Sequence, residues 1–247
     1  MTGGGAMAGP LRTLLRRFGR DLTEYPKPHW RQVKRLLDHF GITLVLDVGA
    51  NVGQYAGYLR DAGYRGRIVS FEPLADAHAA LTRRAAGDAG WTVAPRMALG
   101  ASMGEVELNV SNDRDMSSLL PMRAEILEAS PTSHTVARET VRVATLDSVF
   151  ADYARDADRV LLKIDTQGYE RQVLEGAQRS LARLTGVQLE LSLVPLYDGE
   201  TTWLAMIDYL AERGFEPRLI IPGYFDRHLM RLLQVDGVFF RAGAPGG

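Results

Sequence analysis

The chain contains no cysteine among its 247 residues. This absence excludes disulfide bonds, thiolate nucleophiles and metal sites built on cysteine. The chain also lacks a surplus of either charge, because 29 basic and 30 acidic side chains leave a net charge of −1. A protein without a positive surplus has no general electrostatic attraction for nucleic acid, and we therefore expect no nucleic-acid partner.

Long apolar runs are absent too. No run reaches the roughly 18 residues that a membrane-spanning helix needs, so we expect no membrane span. The first ten residues are small and rich in glycine, without the apolar stretch of a signal peptide. Together these absences predict a cytoplasmic protein. A chain of 247 residues is long enough for one domain with a sizeable core.

We expect three parts along the chain. Residues 1–10 are predicted to be disordered, residues 11–40 to form an N-terminal helical extension, and residues 41–242 to form the main domain. Arginines flank the apolar face of a helix predicted near the start of the extension. This helix either rests on an anionic surface or, as we prefer, packs on the main domain or on a second copy of the chain. A homo-oligomer formed through the N-terminal helices is therefore an expectation.

The segment around which the chain is organised reads LVLDVGANVG at residues 44–53. Its branched apolar residues are typical of a strand buried on both faces of a sheet. Gly49 and Gly53 follow the strand, and helical apolar spacing follows Gly53. A strand, a glycine turn and a helix in this order open a mononucleotide-binding unit. Asp47, near the end of the strand, is predicted to accept a hydrogen bond from a ligand amine or from water.

A second predicted strand at residues 67–73 ends in an acid. Glu72 lies 19 positions after Gly53, and an acid about 20 residues beyond a glycine turn can accept both ribose hydroxyls. The plainer alternative is a glycine-rich turn with a surface glutamate. Asn51 stands where a dinucleotide-binding turn has the glycine that makes room for pyrophosphate. We therefore expect a nucleoside ligand without pyrophosphate, and S-adenosylmethionine fits this description.

Strand-like and helix-like segments alternate along the rest of the chain. This alternation predicts an α/β fold with a doubly wound, mostly parallel sheet and helices on both faces. We expect a strand that runs into a loop at residues 92–100, a strand at residues 159–165 and a helix from Tyr169 to Leu184. Residues 111–140 have no regular period, and a segment of this length inside one domain is usually functional. We interpret it as a lid over the acceptor site.

Four blocks of sequence resemble the FkbM family of S-adenosylmethionine-dependent O-methyltransferases. They read DVGANVGQY from residue 47, FEP from residue 71, ALG from residue 98 and LKIDTQGYE from residue 162, in the order of the family. The last block departs from the usual D-V-E-G-x-E pattern, because Gln167 stands where the family has an acid. The resemblance implies the seven-stranded, Rossmann-like fold of class I methyltransferases.

The donor-binding residues are predicted from these blocks and from the loops beside them. They are Asp47, Gly49, Ala50, Asn51, Gly53, Gln54, Tyr55, Glu72, Pro73, Ala98, Leu99 and Ser117.

Two further acids are candidates for chemistry at the ends of neighbouring strands. Asp165 is predicted to be a base, a metal ligand or a donor-positioning group, and its alternative role is to cap the next helix. Glu190 lies inside an apolar strand, where an unpaired carboxylate would be costly. We expect Glu190 either to share Mg²⁺ with Asp165 or to form an ion pair, for example with Lys163.

His134 is the histidine that lies within the predicted lid. An imidazole can take up a proton near neutral pH, so we hypothesise that His134 is the general base, although most histidines have no catalytic role. Ser118 and Tyr197 are predicted to contact the acceptor, with packing at the rim of the site as the alternative for Tyr197.

The predicted function is transfer of a methyl group to a hydroxyl of a small molecule. Similarity to the FkbM family implies a sugar, glycolipid or polyketide-type acceptor. The first rival is an NAD(P)-binding oxidoreductase, which Asn51 and the absence of a Y-x-x-x-K pair disfavour. The second rival is a non-catalytic binder on the same fold, because a fold does not determine a function.

Overall fold

The structure is a computed structural model and describes residues 25–111, 118–123 and 135–243. The predicted disordered start, the helix predicted near residues 11–20, Ser117, His134 and most of the predicted lid lie outside the described residues. Across the part of the chain that the structure describes, no helix combines the length and the apolar character needed to cross a membrane.

Helices and strands alternate along the described chain. The helices are α1 (Pro28–His39), α2 (Gln54–Asp61), α3 (Ala75–Ala85), α4 (Leu146–Tyr153), α5 (Glu170–Glu175) and α6 (Trp203–Ala211). The strands are β1 (Leu44–Val48), β2 (Arg67–Phe71), β3 (Trp91–Val93), β4 (Ala98–Leu99), β5 (Gly104–Ser111), β6 (Thr135–Ala144), β7 (Val160–Ile164), β8 (Leu184–Ser192), β9 (Phe215–Pro222), β10 (Phe225–Asp226), β11 (Arg231–Leu232) and β12 (Gln234–Arg241).

Seven of these strands form the main sheet, in the order β3-β2-β1-β7-β8-β12-β9. The first five strands in this order, β3, β2, β1, β7 and β8, pair with one another in parallel, and β12 runs antiparallel to both β8 and β9. This arrangement confirms the doubly wound, mostly parallel, seven-stranded sheet. The strand order reverses between β1 and β7, and ligands of such sheets bind at the carboxyl ends of the strands beside this reversal.

Helices cover both faces of the main sheet. Helices α1, α2 and α3 pack on the face that carries Val45, Ile68 and Leu161. Helices α4, α5 and α6 pack on the opposite face, which carries Leu46 and Leu162. All residues of β1 and β7 are buried as a result, as expected for central strands of a sheet that is covered on both faces.

The segment predicted as a strand running into a loop at residues 92–100 begins as expected but ends in a second short strand. Its first part forms β3 in the main sheet, whereas its last part forms β4, which pairs with β6 in a separate three-stranded sheet. Pro95 lies between the two and has no N–H to donate to a strand ladder. The chain therefore changes sheets at this point.

The helix predicted from Tyr169 to Leu184 is shorter than expected, because α5 ends at Glu175. Gly176 follows, and a Cβ atom at this position would lie 2.0 Å from the carbonyl oxygen of Gly100. This close backbone approach needs glycine, which is a poor helix former. The chain continues to a 3₁₀ turn at Ser180–Arg183 and then enters β8.

The segment predicted as a lid is narrower than residues 111–140. Ser111 is the last residue of β5, and residues 135–140 belong to β6, which pairs antiparallel with β5. Both ends of the segment are therefore joined to the three-stranded sheet β4-β6-β5 and not to the main sheet. Within the segment, Ser118 pairs with Asn109 of β5 and Met122 pairs with Tyr197 in the loop after β8.

Candidate functional site

A cavity of about 380 Å³ lies at the carboxyl ends of β1, β2, β7 and β8, beside the reversal of strand order. The predicted site residues that line it are Gly49, Ala50, Asn51, Gln54, Tyr55, Glu72, Pro73, Ala98, Leu99, Ser118, Asp165 and Glu190. Asp47, Gly53 and Tyr197 are not among its lining residues. Ser117 and His134 lie outside the described residues.

The glycine turn after β1 forms one wall of the cavity. Gly49, Asn51 and Gly53 have φ angles of 73°, 48° and 83°, a left-handed conformation that glycine and asparagine adopt more readily than other residues. A Cβ atom at Gly49 would lie 1.9 Å from the carbonyl oxygen of Asp165. The turn therefore packs directly on the end of β7 and directs the Asn51 N–H towards Glu72.

Glu72 is fixed by the backbone on both sides. Its Oε2 accepts a hydrogen bond from the Asn51 N–H at 2.8 Å, and its Oε1 accepts one from the Leu74 N–H at 2.8 Å. A carboxylate offers about four lone-pair positions, so acceptor positions remain for a ligand. Burial raises the pKa of Glu72 to about 7, although both N–H donors and Lys163 act against this rise.

Asp47 lies below the cavity and not in it. Its side chain is fully buried and lies on the same face of β1 as Val45, which is the face that α2 covers. One carboxylate oxygen accepts a hydrogen bond from the Ser70 hydroxyl at 3.1 Å, and the other lies 3.2 Å from the Lys163 ammonium. The prediction that Asp47 contacts a ligand directly therefore has no support in this arrangement, and Asp47 reaches the cavity only through Lys163.

Lys163 connects the buried layer to the cavity wall. Its ammonium nitrogen lies 3.2 Å from an oxygen of Asp47, 3.4 Å from an oxygen of Asp165 and 3.4 Å from the carbonyl oxygen of Gly49. Three partners match the three hydrogens of an ammonium group. Although burial acts to lower it, the pKa of Lys163 is raised because Asp47 and Asp165 favour the charged form.

A polar row crosses four strands beneath the cavity. Ser70, Asp47, Lys163 and Gln188 are neighbours in register on β2, β1, β7 and β8. The Tyr55 hydroxyl of α2 donates a hydrogen bond to Gln188 at 2.8 Å. Sequence reasoning missed this row, and the signal available was a polar residue within each of these four strands.

Asp165, Gln167 and Glu190 lie together at the other end of the cavity. The amide nitrogen of Gln167 donates hydrogen bonds to Asp165 Oδ1 and to Glu190 Oε2, each at 2.9 Å. The amide nitrogen of Gln234 also donates to Glu190 Oε2, at 2.7 Å. Two side-chain amides therefore donate hydrogen bonds to Glu190. The ion pair predicted between Glu190 and Lys163 is replaced by ion pairs of Lys163 with Asp47 and Asp165.

The charge state of this acidic end follows from its burial. Desolvation, with Asp165 and Glu170 nearby, raises the pKa of Glu190 well above its usual value. Burial also raises the pKa of Glu170 to about 7 and that of Asp236, which is paired with Glu190 in the sheet, to about 6.

The loop from Asp165 to Glu170 is held by Glu170 and not by Asp165. Glu170 Oε1 accepts hydrogen bonds from the N–H of Thr166 at 2.8 Å and from that of Gly168 at 3.3 Å. Helix α5 begins after Tyr169, without a capping bond from a side chain. The alternative role of Asp165 as a helix cap is therefore wrong, and its carboxylate lines the cavity instead.

The two residues predicted to contact the acceptor both contact Gln167. The Ser118 hydroxyl donates to the carbonyl oxygen of Gln167 at 2.5 Å, and the Tyr197 hydroxyl donates to its side-chain oxygen at 3.0 Å. Ser118 lines the cavity, whereas Tyr197 is only 1% exposed. Sequence reasoning assigned no role to Gln167. The available signal was that Gln167 departs from the D-V-E-G-x-E pattern.

Comparisons with known proteins identify the kind of domain. The methyltransferase FkbM domain matches residues 47–217. No curated protein matches the chain. Solved structures with a similar fold include three proteins that each share 12% sequence identity with the chain.

An rRNA methylase from Streptococcus thermophilus has a TM-score of 0.47, with 90% of this chain and 99% of that chain covered. Aeropyrum pernix fibrillarin with natively bound S-adenosyl-L-methionine has a TM-score of 0.47, with 85% and 74% covered. A precorrin-6y C5,15-methyltransferase from Geobacter metallireducens has a TM-score of 0.44, with 89% and 93% covered.

The matched domain contains both walls of the cavity, from the glycine turn after β1 to the acidic end formed by β7 and β8. Because the match extends over residues 47–217, well over half of the chain, the protein belongs to the FkbM family of methyltransferases.

Proposed function

We propose that the protein transfers a methyl group from S-adenosylmethionine to a hydroxyl group of a small polar molecule. The observation that carries this proposal is Glu72, a buried carboxylate on the cavity wall that keeps acceptor positions free after two backbone hydrogen bonds. A ribose offers two neighbouring hydroxyl donors, and a carboxylate at the end of the second strand suits them.

The other donor-end residues fit the remaining parts of S-adenosylmethionine. Met97, Ala98 and Leu99 line the cavity beside Glu72 and offer apolar surface to an adenine ring. Asn51 and Gln54 line it at the glycine turn and offer polar groups to an amino acid. The side chain of Asn51 stands where a dinucleotide site needs the space of a glycine, which disfavours a pyrophosphate-containing cofactor.

The acidic end supports a hydroxyl acceptor. Bound S-adenosylmethionine supplies a methyl group that its sulfonium charge already activates, so the chain has to orient the acceptor and take up one proton. The Asp165 side chain is 38% exposed and lines the cavity, while Lys163 and Gln167 each hold one of its oxygens. Asp165 can therefore accept a hydrogen bond from an acceptor hydroxyl. His134 is the second candidate for the base.

The class of acceptor follows from the same chemistry. Carboxylate and amide oxygens at the acidic end accept hydrogen bonds, and a molecule with several hydroxyl groups supplies the donors. The resemblance to the FkbM family favours a sugar, a glycolipid or a polyketide-type alcohol. We therefore propose an acceptor of this type.

Labelled methyl transfer tests the proposal. The wild-type protein is incubated with S-adenosylmethionine labelled on its methyl group and with a panel of glycosides and polyketide alcohols. We expect label on an acceptor oxygen, and we expect the Asp165→Asn variant to lower the rate by about 10²–10⁴-fold if Asp165 is the base. Asp208→Asn, an exposed aspartate on α6 outside the cavity, is the matched control.

The outcomes separate the candidate functions. Label on a carbon or nitrogen atom would overturn the hydroxyl assignment. Donor binding without labelled product from any acceptor of the panel would favour the non-catalytic alternative. A wild-type rate in Asp165→Asn would remove Asp165 as the base and leave His134 as the candidate.

A further inference from the structure

The amide group of Gln167 occupies the space between two carboxylates. Its nitrogen lies 2.9 Å from Asp165 Oδ1 and 2.9 Å from Glu190 Oε2. A side-chain amide has two N–H donors, so each carboxylate receives one. The amide nitrogen therefore occupies the space between these two oxygens, where a cation shared by Asp165 and Glu190 could otherwise lie.

The orientation of this amide is determined by its surroundings. The side-chain oxygen of Gln167 accepts a hydrogen bond from the Tyr197 hydroxyl at 3.0 Å. A flipped amide would turn this oxygen towards the oxygens of Asp165 and Glu190 that now accept its N–H groups, and would lose the bond from Tyr197. The flipped state is therefore unfavourable, because the amide oxygen would lie against the Asp165 carboxylate oxygen without a donor between them.

The backbone of Gln167 is also held. It has a φ angle of 55°, an uncommon conformation for a residue other than glycine. Its carbonyl oxygen accepts a hydrogen bond from the Ser118 hydroxyl at 2.5 Å. The next residue, Gly168, has a φ of 92°, and a Cβ there would lie 2.8 Å from the Tyr197 ring. The loop thus presents the amide to both acids in one defined position.

The residues around the pair do not suit a divalent cation. Within residues 25–111, 118–123 and 135–243, no three His, Asp or Glu side chains come together in a way that could hold a metal ion. The second oxygen of Asp165 already lies 3.4 Å from the Lys163 ammonium, and Glu190 Oε2 accepts a second hydrogen bond from Gln234. The Mg²⁺ expected between Asp165 and Glu190 therefore does not fit this arrangement.

We propose that Gln167 is a positioning residue that takes the place of a cation between Asp165 and Glu190, so that the acidic end of the cavity needs no divalent metal. The role of this end in orienting an acceptor rests on the proposed function. The position of the amide and its effect on cation binding do not depend on that function.

The Gln167→Glu variant tests this proposal with almost no change in side-chain size. The variant loses both N–H donors and places a third carboxylate against Asp165 and Glu190. Three converging carboxylates provide the oxygen ligands that Ca²⁺ and Mg²⁺ prefer. We expect calorimetry with Ca²⁺ to give the variant a Kd of about 10⁻⁴–10⁻³ M, as in weak oxygen-ligand sites. We also expect Ca²⁺ to raise its melting temperature, and we expect neither effect in the wild type.

The matched control is Gln178→Glu, which adds the same charge at an exposed position outside the cavity. Adding Asp165→Asn to Gln167→Glu should abolish the gained Ca²⁺ binding. Equal Ca²⁺ responses of Gln167→Glu and Gln178→Glu would overturn the proposal. Binding of Mg²⁺ or Ca²⁺ to the wild type would also overturn the proposal if the Asp165→Asn substitution abolishes that binding.

If Gln167→Glu folds only when Ca²⁺ is present, this rescue supports the proposal. If it folds under neither condition, the wild-type titration with Mg²⁺ and Ca²⁺ decides the matter, because binding overturns the proposal and its absence upholds it. None of these measurements uses methyl transfer. Failure of the amide proposal and failure of the proposed function are therefore distinguishable.

Discussion

Glu72 is the residue on which recognition of the donor depends most. It is buried, and its oxygens accept hydrogen bonds from the N–H groups of Asn51 and Leu74. Hydrogen bonds that involve a charged group contribute about 1.5–3 kcal/mol each. We therefore expect Glu72→Ala to lose at least one such contribution in its affinity for S-adenosylhomocysteine, measured by calorimetry. Glu212→Ala, at an exposed position, is the control, and unchanged affinity in a folded Glu72→Ala protein would contradict the assignment.

The raised pKa of Glu72 makes this affinity depend on pH. Its pKa is raised to about 7 by burial, and the ionised form is the better acceptor for two hydroxyls. Because the ionised fraction falls about tenfold for each pH unit below the pKa, affinity should rise about tenfold from pH 6 to pH 8. Folding stability changes in the opposite direction. Glu72 holds its proton to a higher pH in the folded state than in the unfolded state, so its contribution to stability is lost as the pH rises from about 4.5 to about 7.

Calorimetry with S-adenosylhomocysteine at pH 6, 7 and 8 measures this dependence. Glu72→Gln cannot ionise at this position and should show an affinity that is independent of pH over the same range. A flat profile in the wild type, or a profile of equal slope in Glu72→Gln, would assign the titration to another group.

His134 remains a prediction, because it lies outside the described residues. If it is the general base, His134→Ala should lower kcat by about 10²–10⁴-fold and leave donor affinity nearly unchanged, since Glu72 and the glycine turn hold the donor. A base has to be deprotonated to act, so the variant should also lose the acidic limb of the pH–rate profile. His39→Ala, an exposed histidine of α1, is the control. A wild-type rate in His134→Ala would leave Asp165 as the candidate.

At the scale of elements, β7 connects the core to the cavity. Lys163 lies between Asp47 of β1 and Gln188 of β8 in the strand register, and its ammonium contacts both the buried acid and the cavity acid Asp165. The glycine turn is also joined to β7, because Lys163 donates to the Gly49 carbonyl. One side chain therefore couples the stability of the sheet to the shape of the cavity.

Removal of the Lys163 charge should destabilise the fold. Lys163→Met keeps most of the side-chain volume but leaves Asp47, which is fully buried, without its counter-charge. Breaking a buried ion pair in this way costs about 3–5 kcal/mol, measured as the free energy of unfolding in urea. Lys34→Met in α1 removes an i,i+4 pair with Asp38, which should cost only about 0.3–0.5 kcal/mol. Equal losses in the two variants would mean that Lys163 does not support Asp47.

Local sequence patterns predicted those elements whose signals lie within a few residues. The glycine turn after β1 forms as predicted, with Gly49 and Gly53 in the left-handed conformation. The division of residues 92–100 between two sheets was not predicted, because it depends on a partner strand, β6, that lies about 40 residues further along the chain. The early end of α5 likewise depends on contact with Gly100, which is distant in sequence.

At the scale of the molecule, site residues whose signals are local in sequence could be predicted, whereas those that depend on distant contacts could not. Glu72, Asp165 and Glu190 could be placed at one edge of the sheet because each follows or lies near the carboxyl end of a parallel strand. The role of Gln167 could not be predicted, because it depends on contacts of one amide group with Asp165, Glu190 and Tyr197. Asp47 was predicted as a ligand contact because its position in the motif is visible, whereas its burial below Lys163 is not.

Donor binding should stabilise the whole domain, because the cavity joins the ends of four strands of the main sheet. A ligand present at about 100 times its Kd stabilises the folded state by about 2.7 kcal/mol. For a chain of this length, each kcal/mol of stabilisation raises the melting temperature by about 2–4 °C. We therefore expect S-adenosylhomocysteine to raise the melting temperature by about 5–10 °C. NAD(P) should produce no rise, because Asn51 stands where pyrophosphate needs a glycine. Glu72→Ala should lose most of the rise, and an equal response of the wild type to NAD(P) would favour the oxidoreductase rival.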